Sequence, residues 1–224
     1  MAYQFDFSVI VRSLPILLRG AALTMGLSLL AIVLATVLGV IGAAGRLSRW
    51  RLARFLAAAY VEAFRNTPLL IQIFFLFFGL PGIGIRLSAF SSGLLALCLY
   101  TGAYNVEVFR AGIEAVPRGL REAAASLGMT SFQSFRHIIL PVAIRISLPA
   151  LGNNFVALLK NSSLVSTIGV VELTFLANDL NAWTFRSFEI YGATALIYLL
   201  MVLLLVFVLR RVEGRLLVYI RRVA

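Results

Sequence analysis

The chain has 224 residues, of which 61% are hydrophobic and 13% charged. A soluble domain carries about 25% charged and 45–50% apolar residues, so this composition excludes one and leaves an integral membrane protein. The net charge is +11, from 20 Lys+Arg against 9 Asp+Glu, and the single cysteine, Cys98, excludes a disulfide scaffold.

Each spanning helix needs about 20 apolar residues. Five such runs appear in order, at about 17–44, 56–80, 88–112, 148–172 and 188–209. The expected fold is all-α, a single transmembrane domain over 1–224. The first and fifth runs are cleanly apolar; the middle three carry polar residues. Gly20, Gly26, Gly39 and Gly42 along the first run point to close helix packing in lipid. The start, MAYQFDFSVI, has an early Asp6 and no basic region, so it does not read as a cleaved signal peptide.

The loops set the orientation. The 1–2 loop holds Arg46, Arg49, Arg51 and Arg54. The 3–4 segment, about 113–145 with the residues leading into it, holds Arg110, Arg118, Arg121, Arg136 and Arg145. The tail holds Arg210, Arg211, Arg215, Arg221 and Arg222, while the opposite side has only Arg12, Arg19, Arg86 and Arg186. Basic loops stay cytoplasmic and attract anionic headgroups. The N-terminus is therefore expected outside and the C-terminus in the cytoplasm. Basic clusters between apolar runs are a topological signal, so no nucleic-acid partner is expected.

Chemistry of other kinds is sparse. A phosphate-cradling loop needs Gly-x-x-x-x-Gly-Lys-Ser/Thr, but the sole lysine, Lys160, lies between Leu159 and Asn161. One histidine, His137, and one distant cysteine make neither a metal cluster nor a Cys/His dyad. No catalytic residue, metal site or resident cofactor is expected. The chain does not read as an enzyme, and any energy-coupling domain belongs to another chain.

The 3–4 segment, from Val116 to Pro141, reads as two short helices joined by a tight turn. Pro117 suits a first helical turn. Glu122-Ala-Ala-Ala-Ser-Leu is strongly helix-forming, and Gly128 suits the left-handed residue that ends a helix. Thr130 with Gln133 forms a capping box for the next helix, which Pro141 is expected to stop. Topology alone would need only a short connection, so a capped two-helix loop implies a docking surface.

Glu122, Ala123, Ala124, Gly128, Ile138 and Leu140-Pro141 resemble the EAA loop of bacterial ABC importer permeases. Three further stretches, Phe64–Phe75, Tyr104–Pro117 and Leu158–Gly169, are similar to spans of the polar-amino-acid permeases in that family, so the resemblance covers nearly the whole chain. It implies a type I importer permease in the bacterial cytoplasmic (inner) membrane. Two permease subunits, alike or different, would form the pore. Glu122, Ala123, Ala124, Gly128, Leu140 and Pro141 would couple each one to a dimer of ATPase subunits carrying ATP and Mg. A periplasmic or lipid-anchored binding protein would deliver the amino acid, and transport would proceed by alternating access.

Polar residues inside spans are costly and default to functional candidates. Arg65, Gln72, Tyr104, Asn153, Asn154, Lys160 and Asn161 are the pathway candidates. Glu62, Glu107, Arg65 and Lys160 could equally form structural ion pairs. Many relatives that import cationic amino acids carry an acidic residue at the position of Asn153 or Asn154, and both are amides here. The tail, Val171–Phe175 with Thr184–Tyr191, most resembles permeases for glutamate and aspartate. Acidic substrates are therefore the expectation, with glutamine, broad polar or cationic amino acids as alternatives. A channel or scaffold subunit without ATP coupling is the alternative from another class.

Overall fold

A computed structural model describes the backbone of residues 4–223 and the side chains of residues 4–215. Arg221 and Arg222 of the basic tail lie outside the described side chains. The described residues are helical, with no strand: α1 (Phe7–Arg46), α2 (Arg51–Arg65), α3 (Leu69–Phe74), α4 (Ala89–Glu114), α5 (Arg118–Ser126), α6 (Ser131–Ser134), α7 (Leu140–Asn161), α8 (Leu173–Thr184) and α9 (Ser187–Val223). At about 1.5 Å per residue, α1 extends well beyond a ~30 Å hydrocarbon core.

Among the described residues, three stretches are long and apolar enough to cross a membrane: Phe7–Arg46, Ser131–Ile168 and Ser187–Arg215. A fourth is added if α2 and α3 form one broken span. The break falls at Asn66-Thr67-Pro68. Pro68 lacks an N–H, and it pushes Thr67 out of the helical region. Gln72 braces the restart, its Nε2 donating to Thr67 Oγ1 at 2.8 Å and to the Thr67 carbonyl at 3.2 Å. α3 then continues through a π turn, Phe75–Gly79, and a 3₁₀ turn, Leu80–Ile83. The continuous second span expected over 56–80 is thus two helices.

The chain divides into two compact units. Unit 1 comprises residues 1–33, 67–98 and 156–205; unit 2 comprises residues 34–66, 99–155 and 206–224. In unit 2, α1 and α4 run parallel and in direct contact. A Cβ on Gly39 would sit 2.6 Å from Asn105 Cβ, and one on Gly42 would collide with Val106. α7 runs antiparallel to α4, with Ser147 Oγ donating to the Val108 carbonyl at 3.3 Å. α1 and α4 point the same way, so the intervening α2–α3 stretch must carry the chain back. That alternation is compatible with five spans.

Unit 1 is organised around a buried carboxylate. Glu172 is 0% exposed. It N-caps α8 by accepting the Phe175 N–H at 2.7 Å. Its other oxygen accepts from Thr24 Oγ1 at 3.1 Å and from the Tyr198 hydroxyl at 2.8 Å. Thr24 in turn accepts the Leu173 N–H at 3.0 Å. One side chain therefore ties α1, α8 and α9. Gly20 permits the approach, since a Cβ there would lie 2.8 Å from Leu173 Cα. Gly26 has open space around it, so only three of the four expected packing glycines serve that purpose. α8 lies wholly between the expected fourth span, ending at 172, and the expected fifth, starting at 188.

Candidate functional site

The loop between α4 and α7 is built as its sequence dictates. α5 ends in a full Schellman motif: the Met129 N–H donates to the Ala124 carbonyl at 3.1 Å and the Gly128 N–H to the Ala125 carbonyl at 3.0 Å. Gly128 has φ 72°, the left-handed value. The Thr130 N–H donates to Gln133 Oε1 at 2.9 Å, and the Gln133 N–H to Thr130 Oγ1 at 3.3 Å. The expected capping box is therefore complete. Pro117 is the N-cap of α5, one residue earlier than expected. Arg121 Nη2 donates to the Ile113 carbonyl at 2.7 Å, pinning α5 to the end of α4.

The loop's candidate residues separate by exposure. Glu122 and Ala123 face outward, while Ala124 is buried. The small side chain at 124 thus serves packing within the loop. The apolar outer surface is substantial, with Leu127 80% and Phe132 69% exposed.

Pro141 does not stop the second loop helix. A π turn, Phe135–Ile139, leads straight into α7, so helical structure runs on from Ser131 into the span. Pro141 lacks the N–H that would bond to the His137 carbonyl, and the wide turn just before it absorbs that loss. Leu140 and Pro141 are therefore the first residues of α7. The fourth span begins far earlier than residue 148, and Asn154 lies about four turns into α7 at 3.6 residues per turn.

The pathway candidates fall in both units: Arg65, Tyr104, Asn153 and Asn154 in unit 2, and Gln72, Lys160 and Asn161 in unit 1. In unit 2, Asn154 Nδ2 donates to Asn105 Oδ1 at 3.0 Å. Asn105 is fully buried, and its own Nδ2 has no hydrogen-bond partner among the described residues. The sequence reading missed Asn105. Its signal was an amide one turn beyond Thr101 on the α4 face that meets Gly39. Arg65 stacks over the Tyr104 ring, 5.0 Å from its centroid, and the Tyr100 hydroxyl donates to that of Tyr104 at 3.3 Å. Asn153, on the same helix as Asn154, is exposed.

Arg110 is the partner that both Glu107 and Glu114 take, and neither Arg65 nor Lys160 joins them. Glu107 pairs with Arg46 at 3.1 Å and with Arg110 at 2.7 Å, and Arg110 also pairs with Glu114 at 2.6 Å. Glu62 accepts from Asn66 Nδ2 at 2.7 Å. In unit 1, Lys160 is exposed and makes no ion pair among the described residues. Asn161, half-buried beside it, ends α7. The following 3₁₀ segment, Ser162–Ile168, satisfies itself. Ser162, Ser163, Ser166 and Thr167 each donate to the carbonyl three residues back, at 2.7–2.8 Å. Those hydroxyls complete the backbone at a break in the helix. Gln72 braces the α2–α3 break, as described above.

An all-helical membrane chain with a capped two-helix loop fused to a span has the architecture of an ABC importer permease. Residues 35–218 match the family of binding-protein-dependent transport system inner membrane components, and the chain belongs to that family. It is 36% identical over 214 residues to the glutamine transport system permease protein GlnP of Escherichia coli, covering 95% of this chain and 98% of that protein. It is 39% identical over 211 residues to the probable glutamine ABC transporter permease protein GlnM of Bacillus subtilis, covering 94% and 98%. The crystal structure of an amino acid ABC transporter with histidines contains a similar chain, with a TM-score of 0.89 at 38% identity, covering 95% of this chain and all of that one. The MetNI methionine ABC transporter shares the fold, with a TM-score of 0.71 at 19% identity.

Proposed function

We propose that this chain is a pore-forming subunit of an ATP-driven importer for polar amino acids, and that its preferred substrates carry an uncharged polar side chain, glutamine foremost. Similarity to glutamine permeases over nearly the full length of both chains carries this reading. The acidic preference expected from the tail finds no support among these relatives. Amides at 105, 153 and 154 suit a neutral zwitterion, because an amide both donates and accepts.

The chain works as one of a pair of permeases, with ATPase subunits holding ATP and Mg and with an external binding protein. The loop would dock α5 and its exposed neighbours in a cleft of the ATPase. Glu122 and Ala123 would meet the partner, and Ala124, Gly128, Leu140 and Pro141 would fix the shape of the contact. The direct fusion of α6 through the π turn to α7 supports this role, because a push on the loop would travel along a single helix. The N-terminus would lie outside and the loop in the cytoplasm of the inner membrane. Arg65, Gln72, Tyr104, Asn153, Lys160 and Asn161 remain pathway candidates in this scheme, alongside the Asn105–Asn154 pair.

The test is co-reconstitution with the ATPase and binding protein in proteoliposomes. Uptake of labelled glutamine should require ATP inside and the binding protein outside, and should exceed uptake of glutamate. Glu122→Ala should lower stimulated ATP hydrolysis and uptake in parallel. Flux that proceeds without ATP would replace this reading with a channel.

A further inference from the structure

Unit 2 holds a cavity of about 480 Å³ where the C-terminal ends of α1 and α4 meet the π turn and the start of α7. Its walls include Ala43, Leu47, Phe109, Ile113, Phe135 and Ala143. Ser147 also lines it, but its hydroxyl is committed to the Val108 carbonyl. The wall is therefore apolar throughout. The volume is roughly three times that of the ~150 Å³ apolar cavity that stays dry and takes up benzene. Leu47, Phe135, Leu140 and Ile144 are each more than a third exposed, so the cavity opens to the surroundings. In a membrane chain the surrounding apolar matter is acyl chain.

Charge close in sequence to two of the cavity walls narrows the occupant. Leu47 is followed by Arg49, Arg51 and Arg54, and Phe135 by Arg136, all exposed. None of these four arginines makes an ion pair among the described residues, whereas Arg46 and Arg110 are neutralised by Glu107 and Glu114. We infer that the cavity binds one acyl chain of an anionic glycerophospholipid from the surrounding bilayer, with its phosphate held by Arg49, Arg51 and Arg136. The inference rests on the family reading only for its leaflet, the cytoplasmic one. The site itself follows from the apolar wall and the unpaired arginines. Two of the walls belong to the coupling loop and its span, so a bound lipid would fill the space between the loop and α1.

Native mass spectrometry of the purified full chain tests this, with phosphatidylglycerol and phosphatidylcholine as probes. Phosphatidylglycerol should leave a retained single adduct and phosphatidylcholine a weaker one. Ala44→Phe, which fills the cavity, should abolish the adduct, with helix content checked by circular dichroism. Arg51→Gln and Arg136→Gln leave the core untouched, and each should lower phosphatidylglycerol occupancy about five-fold, the equivalent of ~1 kcal/mol per basic residue. Equal adducts for both lipids, or an unchanged adduct in all three variants, would overturn the assignment. So would disulfide-linked dimers of Ala44→Cys in vesicles, which would give the cavity to a second copy. Failure of transport in the reconstituted system, with the adducts as expected, would count against the proposed function alone.

Discussion

Asn154 Nδ2 donates to Asn105 Oδ1 at 3.0 Å, joining α7 to α4 inside unit 2. Asn154, one of the seven pathway candidates, thus spends its amide on a helix–helix contact. Among the described residues, Asn105 Nδ2 is the group here left without a partner, and it is buried.

A double-mutant cycle measures the pair. Asn154→Ala should lower thermal stability in detergent by about 1–3 kcal/mol, because Asn105 Oδ1 loses its donor while buried. Asn105→Ala combined with Asn154→Ala should cost less than the sum of the two. The coupling expected for an interhelical hydrogen bond in a membrane protein is about 0.6 kcal/mol, with an upper bound of about 1.7. Strict additivity would mean that the bond contributes nothing.

Gly39→Ala should separate α1 from α4, because the added Cβ meets Asn105 Cβ at 2.6 Å. Overpacking of this kind costs about 1–3 kcal/mol. Gly26→Ala in the same helix meets nothing within 4 Å and should be neutral or better. A matched pair of melting curves decides it, and equal shifts would dismiss the close-approach argument.

In the loop, two glycines should respond with opposite signs. Gly128→Ala has room for a Cβ but must hold φ 72°, so the cost is conformational, about 1–2 kcal/mol. Gly119 lies within α5 with open space around it, and Gly119→Ala should gain up to about 1 kcal/mol of helix stability. Hydrogen exchange of the α5 amides reports both. Faster exchange in Gly119→Ala would contradict the assignment of that helix.

Orientation is read by single cysteines at Ser88 and Ser131, both exposed, with the native Cys98 buried and silent. In intact cells a membrane-impermeant thiol reagent should label position 88 and spare position 131. The reverse pattern would invert the topology.

Local chemistry made the loop legible before any fold was known. A Schellman glycine at 128 and a Thr130–Gln133 box are satisfied by bonds within a few residues, and nothing distant competes with them. The apolar runs of α1 and α9 were equally plain, because lipid demands an uninterrupted stretch of hydrocarbon side chains. What the sequence left open was every choice made across the chain. Arg46, which claims Glu107, lies on a different helix, 61 residues away. Glu172 looked like the end of a span until Thr24 and Tyr198 closed around it. Pro141 read as a stop, and the fold runs through it because a π turn removes the clash that an α-helix would suffer. Local hydrogen-bond rules fix a turn from its own residues. A buried polar group takes whichever partner the packing of distant helices brings to it, and only the tertiary structure selects that partner.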